Sequence, residues 1–95
     1  PFIKIDVEGA EEQVLQGARG ILTGALPPLI LIEMNDRRAV GAILQNLGYA
    51  GLHLRRGRWY PCPDPALSAS RNMLWLHRDF PEHRSRLKKV IQAHP

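Results

Sequence analysis

An α/β fold is what this chain of 95 residues predicts, and three features predict it. An apolar strand, Phe2 to Val7, runs straight into acids and a glycine, and a helical pattern opens at once. A second apolar run, Leu29-Ile30-Leu31-Ile32, is continuous rather than alternating, as in parallel strands covered on both faces. Beyond Gly51 the pattern changes to short alternating segments with no helix between them, which calls for antiparallel pairing. The expected order is strand, helix, strand, helix, then an antiparallel strand pair and a terminal helix. Right-handed crossovers are expected in the first half.

Each element has its own signal. Ala10, Val14, Leu15, Ala18, Ile21, Leu22 and Ala25 recur at helical spacing and make one stripe. Gly17 and Gly20 fall inside that helix, each at about 1 kcal/mol relative to alanine, and small residues there let a helix lie close on a sheet. Gly24 and Pro27-Pro28 stop it. The second strand ends in Glu33-Met34-Asn35-Asp36, where Asn35 or Asp36 caps a second helix. Val40, Ile43, Leu44 and Leu47 form its stripe and Gly48 its C-terminal glycine. Leu52 and Leu54 then oppose His53 and Arg55, Gly57 turns the chain, and Arg58-Trp59-Tyr60 extends a strand. A loop rich in proline and serine covers residues 61–70. On the strand Asn72 to His77, Leu74 and Leu76 oppose Met73, Trp75 and His77. Pro81 suits the first turn of a last helix, with Leu87, Val90 and Ile91 as a modest apolar face.

Composition narrows the function classes. At 44% hydrophobic and 23% charged the chain is globular in type, and no apolar run approaches the ~20 residues that span a bilayer. Lys4 and Asp6 interrupt the first hydrophobic stretch, so it does not read as a secretory signal. The single Cys62 forms no internal disulfide, and a reduced, cytoplasmic setting is the expectation. Nothing supports it as a catalytic thiol. The net charge of +4 hides an asymmetry: residues 1–36 carry two basic and six acidic side chains, residues 37–95 eleven basic and three acidic. The basic clusters, Arg55-Arg56-Gly57-Arg58 and Arg84 to Lys89, are not interleaved with aromatics as in single-strand binders. Solvated faces are expected there, with neither nucleic acid nor membrane as partner. A first strand this apolar, with no lead-in and no initiating methionine, is expected to have neighbours on both sides. The chain therefore reads as lacking an amino-terminal half.

The chemistry concentrates in Lys4-Ile5-Asp6-Val7-Glu8-Gly9-Ala10-Glu11. Ligands of open parallel sheets bind at the carboxyl ends of strands. Asp6 and Glu8 are two residues apart on what reads as an extended segment, so both are expected to point to one side. Paired carboxylates there suit proton transfer, cation binding or hydroxyl recognition. Equally, Glu8 and Glu11 suit the positive end of the helix that follows. Glu33 and Asn35 end the neighbouring strand, so four polar side chains can converge. The remaining polar residues promise less. His53 and His77 sit opposite apolar neighbours and are read as facing solvent, His83 and His94 lie on the last helix, and no pair has metal-ligand spacing. Trp59, Tyr60 and Trp75 are read as core or edge cover rather than as a pocket. Ser68 and Ser70 have no adjacent base in sequence, so no hydrolase nucleophile is indicated.

The segment Lys4 to Glu11, followed by Val14-Leu15 and Gly17-Ala18, resembles the signature of FkbM-type methyltransferases. The resemblance continues at Pro28, Ile32-Glu33, Leu47-Gly48-Tyr49 and Asn72-Met73-Leu74-Trp75, and so spans roughly residues 2 to 78. It implies the C-terminal half of a Rossmann-like class I methyltransferase sheet, with residues 1–78 in that domain and 79–95 a basic C-terminal helix. It implies S-adenosylmethionine as methyl donor and a hydroxyl acceptor on a sugar or natural-product scaffold. In that setting Asp6 is the first candidate for the base and Glu8 the second, with Glu33 and Asn35 on the acceptor. The glycine-rich donor loop and the ribose-binding acid of such enzymes are expected upstream of residue 1. Gly17-Ala18-Arg19-Gly20 lies inside a helix and is no phosphate loop, so residues 1–95 alone are expected to bind donor poorly. Some catechol-type methyltransferases hold a divalent cation with acids and an amide at similar strand ends. Asp6 with Asn35 or Asp36 can imitate that set, but spacing alone does not separate ligands from caps, and no metal ligand is assigned. The outer edge of the first strand is expected to invite self-association. The rival reading is a non-catalytic methyltransferase-like module that binds an acidic partner through its basic C-terminal region.

Overall fold

The computed structural model describes residues 1–68 and 71–93. Strand β1 (Phe2–Ile5) is followed by helices α1 (Glu11–Gly17) and α2 (Arg19–Leu22), strand β2 (Leu29–Glu33) and helix α3 (Arg37–Asn46). The chain continues through β3 (Tyr49–Arg55), β4 (Arg58–Pro61), a short 3₁₀ turn at Pro65–Leu67, β5 (Asn72–His77) and α4 (Pro81–Ala93). The five strands form one mixed sheet in the order β1–β2–β5–β3–β4. β1 and β2 run parallel, with Phe2 opposite Leu29 and Ile5 opposite Ile32. The other three pairings are antiparallel, Glu33 lying opposite Asn72 and Gly51 opposite Trp75. The last strand of the sequence is thus the middle strand of the sheet.

Helices α1 to α3 cover one face. Leu15, Leu22, Val40 and Leu44 pack there on Ile5, Ile30, Ile32, Met73 and Trp75. Leu52, Leu74 and Leu76 point to the other face by strand alternation, and α4 packs against β4 and β5. Two glycines are needed for shape. A Cβ on Gly51 would lie 2.7 Å from the Met73 methyl and 2.9 Å from the Trp75 ring, so this position admits the indole only without a side chain. Arg56 and Gly57 both have positive φ, 51° and 78°, as a two-residue turn matched to the twist of the β3–β4 hairpin requires.

Several expectations hold with amendments. Asp36 caps α3, its Oδ1 accepting from the Ala39 N–H at 3.0 Å, and Gly48 ends that helix with φ 93°. The expected first helix is broken at Ala18 into α1 and α2, and Gly17 lowers helix propensity beside the break. A Cβ added at Gly17 or Gly20 would meet nothing within 4 Å, so neither glycine serves close packing. The apolar stripe is narrower than its spacing implied: Leu15 and Leu22 are buried while Val14 and Ile21 are exposed. In β2 only Ile30 and Ile32 are fully buried, Leu29 and Leu31 being half-covered. Leu54 is exposed rather than sharing the burial of Leu52. Strand β1 stops at Ile5, short of Val7.

Candidate active site

The early end of β1 has a local cause. The Val7 N–H, which would continue the strand, donates instead to Glu11 Oε2 at 3.3 Å. The Gly9 N–H donates to both oxygens of the same carboxylate at 3.2 Å. Glu8 and Gly9 between them adopt left-handed backbone, φ 41° and 94°, and the Ala10 N–H closes the turn on the Val7 carbonyl at 3.3 Å. Left-handed φ is natural for glycine and strained for a glutamate, and such strain gathers where surroundings over-determine the backbone. Asp6 and Glu8 therefore do not share one extended segment, and the alternation that was to aim both at one side does not apply. Both are exposed.

Glu11 is the residue that spacing undervalued. It opens α1, where Ala10 supplies no side-chain cap, and only 1% of its surface is exposed. Besides the two loop amides it accepts from Asn35 Nδ2 at 3.1 Å. A tight strand-to-helix link leaves amide groups that some acceptor must satisfy. An acid at the first helical position, two residues after a glycine, was the sign that this one would reach back.

Glu33 ends β2, whose parallel register with β1 sets Ile5 opposite Ile32 and brings its carboxyl near that of Asp6. A hydrogen bond to Asp6, open to the pair when one of them is protonated, is the first cause of a Glu33 pKa above the usual carboxylate range; partial burial and the Asp6 charge add to it, the Arg71 charge opposes, and the Glu11 charge adds a little more. Arg71 Nε stands 3.8 Å from Glu33 Oε1, with the arginine 83% exposed and the glutamate 19%. Long and exposed, this ion pair adds little to stability. The structure thus couples Asp6 to Glu33 and Glu11 to Asn35, while Glu8 has no hydrogen-bonding partner among the described residues. The Asp36 carboxylate is committed to its cap. Among the described residues no group of three His, Cys, Asp or Glu side chains is placed to hold a metal ion.

Other polar residues fall outside this rim. His53 is not simply solvent-facing: its Nδ1 lies 2.9 Å from Ser68 Oγ, and burial, with the Arg55 charge, lowers its pKa. Ser68 therefore does have a base beside it, brought from β3, contrary to the reading from sequence. Burial raises the pKa of the neighbouring Cys62 thiol, which donates to the Asp64 carbonyl at 3.4 Å. A cleft of about 280 Å³ is lined by His53, Cys62, Asp64 and Ser68. A second, of about 470 Å³, lies between Gln45, Cys62 and Arg78. Neither wall includes Asp6, Glu8, Glu33 or Asn35; of these Asp6, Glu8 and Asn35 are exposed and Glu33 is partly buried. His83 is buried, its Nδ1 accepting from the His77 N–H at 2.9 Å. Trp75 is core, and Trp59 and Tyr60 are half-buried on the edge strand β4. Ser70 and His94 lie outside the described residues.

A family model of the methyltransferase FkbM domain matches residues 1–88. The chain belongs to that family. No curated protein and no solved structure matches it. The acidic rim of this FkbM domain lies at the carboxyl ends of its two parallel strands, where the resemblance in sequence placed the working residues. The loop after β1 is not a donor cradle: it has one glycine, and its Val7 and Gly9 amides are already taken by Glu11, leaving neither for a ligand carboxylate. No helix among the described residues is long and apolar enough to cross a membrane.

Proposed function

We propose that this chain supplies the acceptor side of an S-adenosylmethionine-dependent O-methyltransferase acting on a hydroxyl of a sugar or natural-product-like molecule. The observation that carries the reading is the placement of Asp6 and Glu33 at the carboxyl ends of two paired parallel strands, Ile5 lying opposite Ile32, in an FkbM domain. Methyl transfer to oxygen needs the hydroxyl aligned and its proton accepted. Asp6 accepts that proton. Glu33, on the adjoining strand end, stands beside Asp6 and positions it. Asn35 gives one Nδ2 hydrogen to Glu11, which leaves its Oδ1 and its second amide hydrogen for an acceptor hydroxyl. Glu8 is the second candidate base, poised on its strained turn.

Donor binding is assigned to residues other than those described, and residues 1–95 alone are expected to bind S-adenosylmethionine weakly. Tight binding by calorimetry would overturn that. A class I, Rossmann-like arrangement is consistent with β5 running antiparallel between β2 and β3. The outer edge of β1 pairs with no other described strand, which supports self-association there, tested by light scattering. A cytoplasmic setting fits the lone, reduced Cys62.

The deciding experiment is a methyl-transfer assay on the complete reading frame against a panel of hydroxylated compounds. Asp6→Asn is expected to lower kcat by about 10²–10⁴-fold, the usual contribution of a positioned base. An unchanged rate removes Asp6 from the mechanism. Salt-sensitive binding to acidic partners, with no transfer to any hydroxyl, favours the non-catalytic module.

A further inference from the structure

Glu11 differs from the acids around it. It is the buried one, and its contacts point away from its own helix. A carboxylate that only complemented the helix end would gain from staying in water. Burying it is costly unless hydrogen bonds replace the lost hydration. Here the replacements come from two separate strand ends. The Val7 and Gly9 amides belong to the loop that carries Asp6 and Glu8, and the Asn35 amide belongs to the segment that follows Glu33. Asn35 is anchored in turn, its own N–H donating to the Glu33 carbonyl at 3.2 Å. One carboxylate therefore bridges the two segments on which the acid pair is mounted. The left-handed backbone at Glu8 also persists under this clamp, since both flanking amides bind the same group.

We propose that Glu11 is a positioning residue: its buried carboxylate draws the Asp6–Gly9 loop against Asn35 and so sets the separation of Asp6 from Glu33. The catalytic consequence rests on the acid-pair reading given above; the geometric one does not. Glu11 touches no acceptor. It acts through the loop and through its charge, which adds to the forces holding the proton on Glu33. Removing it loosens the pair and removes one repelling charge, and both effects weaken the hold of Glu33 on its proton.

The test uses the full-length protein with Glu11→Gln, and Glu12→Gln as a control on the exposed neighbouring acid. The Glu33 carboxyl is followed by carbon NMR across pH. In Glu11→Gln its titration midpoint is expected to move to lower pH, and in Glu12→Gln to stay. In the methyl-transfer assay Glu11→Gln is expected to lower kcat about 10–100-fold with the donor KM unchanged, the mark of a misplaced group rather than lost binding. Should Glu11→Gln fail to fold, Asn35→Ala removes one arm of the bridge and is expected to move the Glu33 midpoint the same way. An unmoved midpoint in the folded variant overturns the proposal. If Asp6→Asn leaves the rate intact while Glu11→Gln shifts the midpoint, the acid-pair mechanism falls and the positioning role stands. If Asp6→Asn stops turnover and Glu11→Gln changes neither midpoint nor kcat, the positioning role falls alone.

Discussion

The two ends of the sheet are built on opposite plans. At the carboxyl ends of β1 and β2, acids crowd together, Asp6 and Glu8 are open to water, and one glutamate holds a left-handed backbone. At the other end, where β3 begins and β5 finishes, polar groups are committed to structure. The buried Tyr49 hydroxyl is shared between the Pro28 carbonyl at 3.1 Å and the Leu22 carbonyl at 3.3 Å, and burial pushes its pKa up to about 12. The His77 ring stands edge-on to Tyr49 at 5.0 Å, and its backbone N–H is held by His83. The Gly48 carbonyl accepts both the backbone N–H and the Nε of Arg78. One end spends its polar atoms on holding shape; the other keeps like charges near each other and partly wet. The contrast is what separates a scaffold from a site, and it can be challenged at either end.

The largest effect on stability is expected within the scaffold. Gly51→Ala drives a methyl group into Met73 and Trp75, backed by core on both sides, and should destabilise the protein by about 1–3 kcal/mol in urea denaturation. A neutral result would mean that the indole has room to shift. Tyr49→Phe leaves two carbonyls short of a donor and should cost about 0.5–1.5 kcal/mol without altering turnover. Glu8→Gly sharpens the contrast from the other side. It relieves a left-handed glutamate, so stability should hold or rise by up to about 1 kcal/mol even if turnover falls. A clear loss of stability would show that the Glu8 side chain supports the loop.

The smallest effect lies in the pH dependence. Burial lowers the pKa of His83 first, and the positive groups around it add to this. His53 is lowered in the same sense. The stability that these neutral rings contribute is complete above 6.5, the ordinary value, and is lost as pH falls through their lower folded values. Glu33 runs the other way: its contribution is complete below 4.5 and is lost as pH rises through its raised folded value. Thermal melts across pH should show the acid limb flatten in His83→Gln and the opposite trend flatten in Glu33→Gln. A His83→Gln profile that follows the parent protein's would place the acid sensitivity elsewhere.

Much of the scaffold was legible from periodicity. All five strands and the Asp36 cap follow from local patterns, because alternation, glycine placement and capping chemistry act over a few residues. What escaped depends on partners far along the chain. His53 and Ser68 are 15 residues apart, and their meeting needs β3 and the following loop to be folded first. The break at Ala18 was hidden because the apolar spacing continues through it, while Gly17 gives the helix no reason to. At the candidate site the residue types were visible and their geometry was not. Asp6 and Glu8 read as one extended pair because nothing local shows that Glu11, four residues past Val7, will take that strand's next amide. The rim acids then pair across strands, Asp6 with Glu33 and Glu11 with Asn35, which only the parallel register of β1 and β2 brings together.

The placement of β5 has a consequence for how the protein comes into being. Its ladder joins β2, far earlier in the chain (Ile30 opposite Trp75, Glu33 opposite Asn72), and β3, so the sheet stays in two unjoined pieces until β5 has been made. During synthesis the parallel pair and the hairpin must wait with bare flanks, each a template for a stray chain. A late keystone of this kind makes folding slow, since distant segments must meet before any contact rewards them. It also ties the two ends together: a nascent chain released before residue 77 would carry the full set of rim acids and no middle strand to seat them on.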